Sequence, residues 1–139
     1  MSLFVLDASV VLTWCFPDEN TAFAHQVAQM FRGGDSAIAP SFWPHEVLNS
    51  LLAGEKRKRI SEELMKTFLT DLAALPIKLQ PLSAEEVFLR IQSLSRQHKL
   101  TPHDAAYLHL AEIGGLALAT SDKDLMRACG NAGVELICE

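Results

Sequence analysis

Four acidic residues, Asp7, Glu46, Asp104 and Asp122, each stand beside an apolar stretch that reads as buried. Asp7 ends the run Leu3-Phe4-Val5-Leu6, and Asp122 follows Leu116-Ala117-Leu118-Ala119. Glu46 follows Ala37-Ile38-Ala39 through a short Pro-containing turn, and Asp104 opens the helical stretch 105–112. A carboxylate set directly after four apolar residues is costly without a partner. Two acids at strand ends and two at helix starts point to one acidic pocket, which a hard divalent cation would hold together. Such an ion can lower the pKa of water and neutralise charge on a phosphate, so no side-chain nucleophile is required. The chain offers none: it has no GxSxG, no P-loop and no cysteine with a basic neighbour.

Each of these residues also has a plainer reading. Asp104 lies three residues past Thr101, where an acid stabilises a helix start, and Asp122 could simply cap the last helix. Asp124 fits the first turn of that helix and reads as structural. Asn49 lies three residues beyond Glu46 on the same helical face and could steady Glu46 or a metal-bound water. Ser9, Thr120 and Ser121 are short hydroxyl donors close to the acids, though each alone reads as a turn residue. His45 adjoins Glu46 and His103 adjoins Asp104, but neighbours on a helix point apart, and there is no HExxH, so a zinc site is not expected.

The elements that must position these residues alternate between strand and helix. The apolar run 3–6 reads as a strand buried on both faces. Helices are expected over 21–32, stopped by Gly33-Gly34, over 44–58, with Pro in the first turn, and over 61–74, with Ser61 as N-cap. Ser83-Ala84-Glu85-Glu86 is a capping box opening a helix to about His98. Thr101-Pro102 caps another that ends at Gly114-Gly115, and 122–129 is a short last helix. Further short strands are expected at 36–39, 77–80, 116–119 and 134–137. This alternation implies a single α/β domain over residues 1–139, a parallel sheet sandwiched between helices. In such sheets ligands bind beyond the carboxyl ends of the strands, at the topological switch point. Asp7 and Asp122 lie at strand ends, and Glu46 and Asp104 in helix turns that could begin at the same edge.

With 139 residues, 49% of them hydrophobic, the chain can bury a sizeable core, and disorder is not expected. Asp7 interrupts the one long apolar run, so no membrane span is expected, and that run has neither the basic leader nor the cleavage site of a signal peptide. Cys15, Cys129 and Cys138 form an odd set without zinc-like spacing, which suits a reducing cytoplasm. The net charge of −5 argues mildly against broad nucleic-acid binding. Basic residues are nonetheless grouped, in Lys56-Arg57-Lys58-Arg59 and more loosely in Arg90, Arg96, His98 and Lys99. They could rim an acidic pocket that takes a phosphodiester, or be solvated helix ends.

Four segments taken together carry a resemblance. Val5-Leu6-Asp7-Ala8-Ser9-Val10, Trp43-Pro44-His45-Glu46-Val47-Leu48-Asn49, Thr101-Pro102-His103-Asp104-Ala105-Ala106-Tyr107-Leu108 and Ala119-Thr120-Ser121-Asp122 resemble the PIN-domain ribonucleases, above all the VapC toxins of bacterial toxin–antitoxin pairs. The resemblance spans essentially the whole chain, in order and at typical spacings. It implies a PIN-like sheet between helices and an Mg²⁺- or Mn²⁺-dependent endoribonuclease. By position, Asp7, Glu46, Asp104 and Asp122 match the acidic quartet, Ser9 and Thr120 its hydroxyl positions, and Asn49 its helix amide. It further implies an RNA substrate, a homodimer and a VapB-like antitoxin whose C-terminal segment covers the acidic groove. The substrate-contacting loops are not recognisable.

Other classes fit less well. A receiver-like signalling module needs an acceptor Asp at the end of its middle strand and a Lys after the last, yet the third strand ends in Gln80-Pro81 and no Lys follows 134–137. An inactive PIN-like binding module is disfavoured by the intact acid set. DNA-directed flap nucleases usually carry DNA-gripping insertions that this compact chain lacks.

Overall fold

The computed structural model describes residues 2–16, 18 and 21–137. Its four strands are β1 (Leu3–Leu6), β2 (Ser36–Pro40), β3 (Ile77–Gln80) and β4 (Leu118–Ala119), parallel throughout and ordered β3-β2-β1-β4. Phe4, Val5 and Leu6 are all buried, so both faces of the central strand are covered by helices, as the continuous apolar run requires. The chain steps outward from β1 to β2 to β3 and then returns to β4 on the other side of β1. The switch point therefore lies between the carboxyl ends of β1 and β4.

The helices are α1 (Ala8–Cys15), α2 (Ala22–Arg32), α3 (Trp43–Lys56), α4 (Glu62–Ala73), α5 (Gln92–His98), α6 (Pro102–Gly114) and α7 (Lys123–Ala132). A π-helical stretch, Glu86–Ile91, precedes α5 within the expected 83–98 helix. Its first residue, Glu86, serves two partners: Oε1 accepts from the Ser83 backbone N–H at 3.1 Å, and Oε2 lies 2.9 Å from His109 Nε2. Helix α6 crosses β1, β2 and β4, and its run from Ala105 to Ala111 is buried. It stops at Gly115, whose φ of 61° is open to glycine at little cost. The expected caps are present: the hydroxyls of Thr21, Ser61 and Thr101 accept from Ala24, Leu64 and Asp104 N–H.

Three expectations change. Helix α1 follows Asp7 at once, in a segment that carried no element signal; its apolar residues Ala8, Val10 and Val11 are buried. β4 is shorter than 116–119, and the expected strand 134–137 reduces to one parallel bridge, Leu136 to Leu118, with Leu118 N–H bonded to Glu135 O and Ile137 N–H to Leu118 O. The basic run does not rim the acids. Lys56 ends the helix that Glu46 begins, about 15 Å away at 1.5 Å per residue. Arg59 is bonded to Asp18 at 2.9 Å and stacked 4.2 Å over the buried Phe16 ring, and Arg90 pairs with Glu112 at 3.1 Å. Cys15 and Cys129 are free thiols, and Cys138 lies outside the described residues. Among the described residues no helix is long and apolar enough to cross a membrane.

Candidate functional site

Strand register builds the centre of the site. Val5 and Leu6 of β1 pair with Leu118 and Ala119 of β4, and Asp7 N–H bonds Ala119 O at 3.0 Å. The next residues on the two strands, Asp7 and Thr120, are thereby set side by side. Thr120 Oγ1 donates to Asp7 Oδ2 at 2.6 Å, and Ser9 Oγ, from the first turn of α1, donates to the same oxygen at 2.8 Å. Oδ1 is left without a hydroxyl partner among the described residues. Asp7 holds the N-cap position of α1 yet makes no side-chain cap bond, so its carboxylate is not consumed by the helix. Burial pushes its pKa up, against the two hydroxyl bonds that pull it down, and the charge of Glu46 adds to the rise.

The other three acids come to this point on helix starts. Glu46 lies in the first turn of α3, Asp104 in the first turn of α6, and Asp122 is the N-cap of α7. Asp104 is half-buried, and its carboxyl is pushed up by desolvation and then by the charges of Asp122 and Asp7. Glu46 and Asp7 also act on one another, so the four carboxylates share one electrostatic neighbourhood. Asp122 Oδ1 accepts from Asp124 and Leu125 N–H at 2.8 and 3.1 Å, the cap role open to it from sequence. That role occupies one oxygen. Asp124 is exposed, with Arg127 at 3.3 Å, a structural place as expected.

The loop after β4 is tied to α1 by hydroxyls. Ser121 N–H donates to Ser9 Oγ and Asp122 N–H to Thr120 Oγ1, both at 3.0 Å. Ser9, Thr120 and Ser121 therefore form one connected set around Asp7. Asn49 does not join it: it is exposed, and its side chain makes no hydrogen bond to the described residues. The group that steadies Glu46 is Tyr107, whose phenol donates to Glu46 Oε1. Tyr107 is fully buried, and its pKa is driven far up by burial and by the charges of Asp7 and Glu46, so it stays a donor. Sequence reasoning gave it no role, although its place three residues after Asp104 set it on the same helical face. Phe42 packs edge-on to Tyr107 and lies 4.5 Å from the His103 ring, while Trp43 is buried and Trp14 donates to Ala24 O at 2.8 Å.

Among the described residues, no three His, Cys, Asp or Glu side chains close tightly enough to cage a metal ion directly. An all-oxygen set of four crowded carboxylates, two of them with raised pKa, nonetheless fits a hard cation that keeps most of its waters and takes one or two carboxylates. His45 and His103 are exposed and stand outside the cluster of hydroxyl-bonded acids.

The chain matches the PIN domain family over residues 4–131. It is 30% identical over 136 residues to Ribonuclease VapC12 of Mycobacterium tuberculosis, covering 97% of this chain and 99% of that protein. It is 31% identical over 124 residues to Ribonuclease VapC3 of Pyrobaculum aerophilum, covering 87% and 90%. In fold it is similar to the crystal structure of PAE2754 from P. aerophilum (TM-score 0.64, 19% identity, 92% and 87% covered) and to that of FitAcB from Neisseria gonorrhoeae (0.59, 18%, 99% and 97%). The match to the family over residues 4–131, with relatives of 30% identity or more over most of the chain, places the chain in the PIN domain family.

Proposed function

We propose that the protein is a metal-dependent endoribonuclease, the toxin of a VapBC-type toxin–antitoxin pair, folded as a single domain over residues 1–139. The observation that carries this reading is Asp7: a buried carboxylate at the switch point, held by two hydroxyls and surrounded by Glu46, Asp104 and Asp122. The likeness to two proteins named as ribonucleases, over nearly their whole length, supports RNA as the substrate.

In this reading Asp7, Glu46, Asp104 and Asp122 hold Mg²⁺ or Mn²⁺ and carry catalysis. When bound, the cation supplies positive charge for the phosphodiester and acidifies water for attack on phosphorus. The protein's own part is positional. Ser9 and Thr120 fix the rotamer of Asp7, and Tyr107 fixes that of Glu46. Ser121 pins the β4–α7 loop to α1, which keeps Asp122 at the pocket. The crowding of like charges stores repulsion that a cation relieves, so binding free energy and site order are linked.

A VapB-like antitoxin would cover the acidic groove, and a homodimer would hide apolar surface. Phe88, Leu89 and Ile113 expose 63–69% of their area and are candidates for that surface. A cytoplasmic place of action suits the unpaired thiols of Cys15 and Cys129. Incubating the isolated chain with RNA and then with an RNA–antitoxin mixture tests both halves: cleavage that the antitoxin stops is expected, and a chain indifferent to RNA under every metal condition would reduce it to a PIN-like binding module.

A further inference from the structure

Beside the carboxylates, the β4–α7 loop borders a cleft of about 520 Å³, within the size range of small-ligand sites. Its walls include Phe23 of α2, Met126 of α7, and Leu136 and Ile137 of the segment bridged to β4, together with Thr120 and Ser121. The last two belong to both places: Thr120 bonds Asp7, and Ser121 bonds Ser9. A ligand held at the carboxylates is therefore one residue's width from an apolar cleft. Among the described residues no charged side chain lines that cleft, and its walls suit a flat neutral group better than a phosphate.

We propose that this cleft is a nucleobase subsite. It takes the base of a nucleotide next to the phosphate held at the carboxylates, with Phe23 against the face of the base and the exposed Ser121 hydroxyl near its edge. A nucleotide is the ligand that combines a phosphate for one half of this surface with an apolar, planar body for the other. The subsite thereby contributes to which sequence is cut. This inference rests on the ribonuclease reading. It adds a place where sequence is sensed, which four carboxylates cannot do, because they meet only the backbone common to every RNA.

The test uses the whole chain and a panel of short RNA oligonucleotides of defined sequence, varied at the positions flanking one cut site. Phe23→Ala should raise KM about tenfold, the scale of one lost base stack, and broaden the flanking-base preference, while Phe23→Trp restores both. Phe23 also packs on the core, so thermal melting accompanies each variant, and Met126→Ala provides a second perturbation of the same wall. Unchanged KM and preference in Phe23→Ala and Met126→Ala would overturn the subsite. If those variants cut RNA as the wild type does but lose affinity for the antitoxin, the cleft is a peptide site and the proposal is again overturned. A wild-type chain that cuts no RNA fails one step earlier, at the function itself, and removes the subsite with it.

Discussion

Asp7 and Thr120, 113 residues apart in sequence, are joined by a 2.6 Å hydrogen bond that the parallel register of β1 on β4 makes unavoidable. A slip of one residue would turn the slipped strand's side chain to the other face of the sheet and separate the pair. The pair therefore reports whether the sheet and the site are assembled together. Thr120 is 2% exposed, so its hydroxyl has no water to replace the bond. Thr120→Val should cost about 1–3 kcal/mol of stability, since it removes one of the two hydroxyls on a buried carboxylate oxygen and leaves the Asp122 N–H unpaired, whereas Thr120→Ser should cost about half of that or less. Chemical denaturation of the three proteins distinguishes them.

Tyr107 stands to Glu46 as Thr120 stands to Asp7. Removing the phenol oxygen leaves Glu46 in place but free to choose other rotamers. Groups that orient a ligand typically matter by ten- to a hundredfold in metal affinity or activity. Tyr107→Phe should thus raise the Mg²⁺ or Mn²⁺ concentration for half-maximal cleavage about tenfold, with a stability loss of about 1 kcal/mol. An unchanged metal requirement would mean that Glu46 does not hold the ion.

The carboxylate cluster gives a pH signature. Asp7 and Asp104 both have pKa values raised above the ordinary 3.8, so between that value and the raised ones the native state binds more protons than the unfolded chain. Stability of the metal-free protein must then fall as pH rises through that window. Asp104→Asn removes one of the repelling charges while leaving the backbone N–H that donates to the Thr101 cap. Its metal-free melting temperature should exceed that of the wild type at neutral pH, the gap should close at acidic pH, and added metal should stabilise it less. A clear loss of metal-free stability would instead make Asp104 a helix-start residue first.

Glu86 works in the opposite sense. Its pKa is lowered, first by the bond to His109 and then by the Ser83 N–H, so its contribution is present above the unfolded value and is lost as pH falls through the lowered one. His109 is 4% exposed, with Nδ1 buried and unpaired among the described residues, so Glu86 is its hydrogen-bond anchor. Glu86→Gln should lower the melting temperature at neutral pH more than Glu85→Gln, its exposed neighbour, and leave RNA cleavage at low temperature unaffected.

The sheet, six of the helices and the location of the acids were legible because each rests on a local signal. Phe4-Val5-Leu6 is apolar without a break, Ser61 and Thr101 sit where caps belong, and Asp7 and Asp122 follow apolar runs. Helix α1 was not legible. Ala8-Ser9-Val10-Val11-Leu12-Thr13 is rich in β-branched residues and shows no amphipathic period, because the helix is packed between α2 and α3 and needs no polar stripe. The π-helical stretch left no trace in the sequence either; it opens at Glu86, which bonds both Ser83 and His109, 23 residues away. At the site, spacing along α3 offered Asn49 as a support for Glu46 or a metal-bound water, and the hydrogen bond Glu46 receives comes from α6. Only the packing of α6 across the sheet puts Tyr107 there.

The most direct test is cleavage of RNA by the purified, partner-free chain in Mg²⁺, in Mn²⁺ and in EDTA, with Asp7→Asn measured alongside. Cleavage that needs the metal and falls by at least a hundredfold in Asp7→Asn, roughly 2.7 kcal/mol of transition-state stabilisation, is the expected result. Equal cleavage in EDTA and in Mg²⁺, or an Asp7→Asn protein as active as the wild type, would contradict a metal site built on Asp7.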